Sequence, residues 1–239
     1  METAVPTPPW RKERKSASKK PQLSQELIVR TALRVLDAEG LEAVSMRRVA
    51  QELETGPASL YAHVSNKEEL LELVYDEVVG ELEFPKPDPP RWREQLREVC
   101  VDSQRLFTSH NDIAKVSLAA VPTGPNSLRM AEGMLAIMIE GGVPPQIAAW
   151  GLDRLALYIA SDAYEGSLYL IKQANSGQPM DKWVDEYFGQ VETYMRSLPA
   201  DRFPYIAGHV DEMVGGGGDE RFLFGLDLLI AGIASYVEK

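Results

Sequence analysis

From Leu23 onward, apolar residues recur at helical rather than strand spacing, and clear breakers divide the pattern into segments. The pairs Leu27/Ile28, Thr31/Ala32 and Val35/Leu36 return every four residues and so share one helical face. Ser24 fits as the N-cap, and Gly40 as the C-cap because glycine takes positive φ without a Cβ clash. A first helix is thus predicted over 24–39. A second opens at Ser45 and buries Met46, Val49, Ala50 and Leu53. After the break Glu54-Thr55-Gly56, Pro57 fits the first turn of a third helix, where its missing N–H costs nothing. That helix ends near His63 or Val64. The overlapping capping boxes Ser65-x-x-Glu68 and Asn66-x-x-Glu69 then start a longer helix over 66–83. The prolines between Pro85 and Pro90 end it. Beyond them, helices are predicted over 91–108, 112–120, 125–140, 145–173, 180–197 and 219–237. Their breaks are Pro122-Thr123-Gly124-Pro125, Gly141-Gly142, Ser176-Gly177-Gln178-Pro179 and the four glycines 215–218. No segment alternates with strand period, so the fold class is all-α. Three regions follow: an arm over 1–22, a small helical domain with its connecting helix over 23–84, and a larger helical domain over 85–239.

Charge adds an asymmetry. The 239-residue chain carries a formal charge of −11, which alone argues against a nucleic-acid partner. Residues 1–67, however, hold 11 Lys/Arg against 8 Asp/Glu, whereas residues 68–239 hold 14 against 28. Within Trp10–Lys20, six bases face the single acid Glu13. An acidic body with one basic end fits an anionic partner at that end only, or a solvated tail beside a soluble body. No apolar run reaches the roughly 18 residues of a membrane-spanning helix, and the N-terminus lacks the apolar core of a secretory signal. With Cys100 as the one cysteine, no intramolecular disulfide is available. A cytoplasmic protein without membrane contact is expected.

Three short helices, the second and third separated by three residues, have the form of a helix-turn-helix or of an ordinary helical hairpin. In the first case the third helix offers its leading edge to the major groove of double-stranded DNA. Pro57, Ala58 and Ser59 would face the groove and Leu60 the core, while Tyr61, His63 and Lys67 could donate to phosphates.

Residues 23–70 resemble the DNA-binding domain of TetR-family transcriptional regulators. The matching stretches are Ile28–Gly40, Ser45-Met46-Arg47-Arg48-Val49-Ala50, Ser59-Leu60-Tyr61-Ala62-His63-Val64 and Asn66-Lys67-Glu68-Glu69-Leu70-Leu71. The segments His110–Val116 and Phe222–Ile230 are similar to the effector domain of the tetracycline-repressor branch. The resemblance implies a ligand-responsive repressor that binds a palindromic operator as a homodimer and is released by a small organic effector. An activator of the same fold, or an all-helical small-molecule-binding protein, is the alternative. It assigns Arg47 to a guanine edge, whose O6 and N7 an arginine fork meets together. Thr55, Pro57, Ala58, Ser59 and Tyr61 fall at or beside the recognition helix, and His63 and Lys67 at phosphate-facing positions. Gly56 departs from the usual capping serine or threonine. Arg11, Lys12, Arg14 and Lys15 suit an arm that reaches a minor groove, by analogy with homeodomain arms, or a tail that does nothing.

Effector contacts implied by the resemblance are Phe107, Ser117, Met130, Met134, Trp150, Tyr158 and Glu165; at each, ordinary core or surface packing is the alternative. Ser117 and Glu83 stand where tetracycline repressors carry histidines, so a magnesium–tetracycline chelate is not the expected ligand. Asp162 and Glu165 share a helix face, as a carboxylate pair or a polar patch at the pocket or dimer surface. Ala148, Leu152, Leu155, Ile159 and Ala163, with Phe222, Leu226, Leu229, Ile230 and Ile233, form faces that either build a dimeric four-helix bundle or pack within one subunit. His63, His110 and His209 show no zinc-type spacing, and no nucleophile elbow or phosphate-cradling loop occurs. No enzyme activity, catalytic residue, metal or cofactor is expected.

Overall fold

A computed structural model describes residues 22–119 and 123–237; Arg11, Lys12, Arg14 and Lys15 lie outside them. The helices are α1 Gln25–Glu39, α2 Met46–Glu52, α3 Pro57–Leu60, α4 Lys67–Val79, α5 Trp92–Ser109 and α6 Ile113–Ala119. They continue with α7 Pro125–Glu140, α8 Pro145–Ser176, α9 Met180–Arg196, α10 Pro204–Gly208, α11 Val210–Val214 and α12 Gly218–Ala234. Among the described residues there is no strand.

Helices α1, α2 and α4 begin where polar side chains satisfy orphan backbone donors. Ser24 Oγ accepts from Leu27 N, and Ser45 Oγ from Arg48 N. Asn66 Oδ1 accepts from Glu69 N at 2.7 Å, and Glu69 reaches back to Ser65 N at 2.6 Å. The capping box therefore closes across Ser65 and Asn66 rather than within either tetrapeptide. Gly40 ends α1 at φ +83°, with its N–H on Leu36 O. Ile28, Ala32, Leu36, Val49, Leu60 and Leu70 are fully or almost fully buried where α1–α4 meet.

Several elements differ from the periodicity; α8 runs on to Ser176 and α12 stops at Ala234. The third helix stops at Leu60 and continues only as a turn through His63, whose N–H bonds Leu60 O. The connecting helix ends at Val79 because Glu81 and Leu82 bond back three residues, tightening the chain ahead of Phe84-Pro85. Helices α10 and α11 have five residues each, too short to show a period in sequence.

The larger helices pack around α8, which contacts α5, α6, α7 and α12. Leu96, Cys100, Ile113, Met134, Leu155, Ile159 and Leu226 are fully buried there. Helix α4 joins this layer to the first three helices, since it contacts α1 on one side and α6 and α7 on the other. His110 Nδ1 meets Asp37 at 3.1 Å, and Asp112 accepts from Leu41 N at 2.9 Å, adding a second connection beside it.

The firmest joint is Asp76. It is 7% exposed, and its carboxylate accepts from Ser127 N and Oγ, both at 2.8 Å, and from Asn126 N and Nδ2. Gly124, the N-cap of α7, has no side chain to do this. A residue of α4 thus caps α7 from outside the helix. Only glycine fits at 124, because a Cβ there would collide with the Asp76 carboxylate.

Asp76→Ala removes the carboxylate from four donors of α7, leaving the two buried ones, Ser127 N and Oγ, without that acceptor. It is expected to lower unfolding stability by about 2 kcal/mol in urea titration. Gly124→Ala should cost a similar amount by displacing the same carboxylate. The double variant should then lose clearly less than the sum, because both changes remove one interaction.

Candidate nucleic-acid interface and ligand cavity

Helices α2 and α3 pack against each other and leave one polar edge outward. Leu60 and Val64 are buried, so Pro57, Ala58 and Ser59 on the opposite side are exposed. Tyr61 is 54% exposed beyond them, and His63, Thr55 and Lys67 are half-buried along the same segment. Gly56 is extended at φ −82°, and its Cα faces open space. The α3 N-terminus is therefore uncapped by any side chain and open to an incoming acceptor.

Two adjacent arginines have opposite surroundings. Arg47 is exposed and makes no ion pair or hydrogen bond among the described residues. Arg48 is held at 2.6 Å by Glu39 of α1 and at 2.8 Å by Glu52 of its own helix. Those bonds raise the guanidinium's pKa and lower that of Glu39 below the usual carboxylate range. Arg48 thus fixes α2 against the end of α1, while Arg47 keeps its fork free. Sequence reading did not single out Arg48, although Glu52 at i+4 was a visible signal.

A cavity of about 430 Å³ lies among α4, α5, α6, α7 and α8, a size suited to a drug-sized organic molecule. Its wall is mostly apolar, from Phe107, Leu118, Met130, Leu152, Ala156 and Leu157, with Tyr75, Ser117, Ser127 and Asp153 as polar members. Of the seven residues expected there, Phe107, Ser117 and Met130 line it. The other four stand elsewhere. Met134 is wholly buried core, and Trp150 is 63% exposed on α8. Tyr158 stacks on Phe222 and donates to its carbonyl at 2.9 Å, above Gly225, where a Cβ would strike the phenol. Glu165 is exposed and accepts from Tyr169 at 3.4 Å. Helical spacing gives the angular position of such residues but not the depth of a hollow between five helices. Tyr75 and Asp153 were missed for that reason.

Asp162 and Glu165 have different hydrogen-bond partners, Gln104 and Tyr169. Burial raises the Asp162 pKa, a hydrogen bond from Gln104 at 3.0 Å opposes this, and the charges of Glu165 and Asp219 add to the rise. Its carboxylate ties α8 to α5. Burial also pushes the Cys100 thiol up to about 12, which leaves it unreactive. Among the described residues, no three His, Cys, Asp or Glu side chains are grouped to hold a metal ion, and no helix is long and apolar enough to cross a membrane.

Known proteins share this arrangement. Residues 28–74 match the family described as bacterial regulatory proteins, tetR family, and residues 84–237 match the tetracyclin repressor-like C-terminal domain. An HTH-type transcriptional regulator of Saccharopolyspora erythraea is 30% identical, covering 95% of this chain and 91% of its own. The HTH-type transcriptional repressor DrrR1 of Streptomyces coeruleorubidus is also 30% identical, over 91% of this chain and 82% of its own. The crystal structure of the Streptomyces coelicolor TetR family protein ActR in complex with actinorhodin superposes with a TM-score of 0.82 at 40% identity. That match covers 92% of this chain and 99% of the other.

The two arginines should separate cleanly. Arg47→Ala is expected to keep the wild-type melting temperature while losing about 1–3 kcal/mol of discrimination at one base pair. Arg48→Ala should instead lower the melting temperature and weaken binding to all duplexes alike. Thermal unfolding and binding to a panel of single-base operator variants check both.

Proposed function

Because the chain belongs to the tetR family of bacterial regulatory proteins, we propose that it is a transcriptional repressor released from operator DNA by a small organic ligand. The observation that carries this reading is α4. It starts beside the exposed α3 edge at Lys67, places Tyr75 in the cavity wall and is clamped to α7 by Asp76. One rigid element therefore touches both the reading head and the ligand hollow. A ligand that binds better when α4 is displaced lowers DNA affinity by the same coupling free energy.

In this reading, residues 23–84 form the DNA-binding unit and residues 85–239 the effector and dimerisation unit. Arg47 reads a base edge. Thr55, Pro57, Ala58, Ser59 and Tyr61 fill the groove, and His63 and Lys67 meet phosphate. The arm bases Arg11, Lys12, Arg14 and Lys15 add electrostatic grip. Phe107, Ser117 and Met130 contact the ligand through the cavity wall. The ligand is a flat aromatic compound, as the apolar wall and the ring of Phe107 favour, and the actinorhodin complex of ActR supports this class. No enzyme activity is proposed, and the cytoplasm is the compartment.

The chain works as a homodimer on a palindromic operator, because two-fold symmetry matches two half-sites. Trp150 and Leu157 on α8, and Phe224 and Leu228 on α12, are exposed large apolar residues on helices that contact each other. Such an apolar face asks for a partner.

A titration against a duplex selected in vitro, at two salt concentrations beside a scrambled duplex, should show preference that survives the higher salt. Removing residues 1–22 should weaken binding and flatten the salt slope, because each neutralised phosphate releases counterions. Equal binding to both duplexes would refute sequence-specific repression. Separately, Leu157→Glu with Leu228→Glu should sediment as a monomer and lose most operator affinity while remaining helical.

A further inference from the structure

Tyr75 is a polar residue of the cavity wall with no hydrogen-bond partner among the described residues. Its ring packs on Phe107, with centroids 5.9 Å apart at 59°, and its hydroxyl makes no hydrogen bond among the described residues. No fully enclosed polar side-chain atom lacks a partner among those residues, so the hydroxyl is not sealed in the core and opens on accessible space. Burial, together with the charge of Asp76, pushes the phenol up to about 12, so it stays protonated and remains a donor. A donor facing a mostly apolar hollow gains most from an oxygen acceptor brought in by a ligand, since water is then excluded from the same bond.

The position of Tyr75 on α4 gives that bond a second consequence. The next residue, Asp76, holds Ser127 N and Oγ, and Ser127 itself lines the cavity. The free donor and the clamp between α4 and α7 are thus neighbours along the chain, and one hollow reaches both. Phe107, Met130 and Leu152 supply apolar contact on other helices, but none of them stands on the element that leads to the DNA-reading edge.

We propose that Tyr75 is the ligand-sensing residue of this cavity, its phenol donating a hydrogen bond to a carbonyl oxygen of an aromatic ligand and so coupling occupancy to α4. This rests on the reading of the cavity as the effector site. Tyr75→Phe removes the donor and keeps the ring packed on Phe107.

The test compares the wild-type full chain with Tyr75→Phe, using actinorhodin, whose quinone carbonyls are acceptors, as the probe. Calorimetry measures binding, and release from an in vitro selected duplex measures coupling at ligand saturation. The variant should match wild type in melting temperature and ligand-free DNA affinity. It should bind the probe about threefold to tenfold more weakly, the worth of one hydrogen bond. At saturation its ligand-induced drop in DNA affinity should be smaller than that of wild type. Wild-type binding and release in the variant would overturn the proposal alone. Weaker binding with full release at saturation would make Tyr75 an anchor and overturn its sensing role. A lowered melting temperature with unchanged binding and release would make it a structural residue. Failure of the wild-type protein to bind the probe would overturn the aromatic-effector reading and this proposal with it.

Discussion

A carboxylate from one helix completes the first turn of another, and the rest of the molecule is arranged around that bond. Helix α7 begins at Gly124-Pro125, a start with no capping side chain and one fewer N–H. Asp76 provides the missing acceptor from α4. Taking an ionised carboxylate out of water is costly, and the cost is met only because several donors converge on it at once. That convergence requires glycine at 124, a serine at 127 and a fixed register between α4 and α7. An apolar contact at the same place would tolerate sliding. A capped helix end does not, so a displacement of either helix is felt by the other.

This explains how a helix of 13 residues can connect two chemically different surfaces. Its N-terminal end is fixed by Asn66 and Glu69 beside the exposed edge of α3. Its middle presents Tyr75 to the cavity and Asp76 to α7. Its apolar residues Leu70, Val74 and Val78 are fully buried and bind it to the common core. The acidic balance of residues 68–239 keeps the larger domain away from a polyanion, which confines the proposed DNA contact to the small domain. Arg48, locked between Glu39 and Glu52, shapes that small domain, and Arg47 beside it is left free.

Much of this was legible in the sequence because it is local. Caps, breakers and apolar spacing place the long helices to within a few residues, since each signal acts over one or two turns. The basic and acidic halves, the exposed leading edge of the third helix and the family resemblance also needed only the order of residues. Short elements such as Pro204–Gly208 and Val210–Val214 lacked enough residues to establish a period.

What only the tertiary structure decided is whatever depends on distance between helices. Trp150, Met134 and Tyr158 carry apolar spacing like that of true cavity residues. One nevertheless lies on an open face, one in the core and one against α12. Neither Tyr75 nor Asp76 stands out in the sequence by motif or spacing. Asp76 lies 50 and 51 residues from its partners Asn126 and Ser127. No spacing rule spans that separation, because a cap supplied from another helix obeys packing geometry rather than chain periodicity.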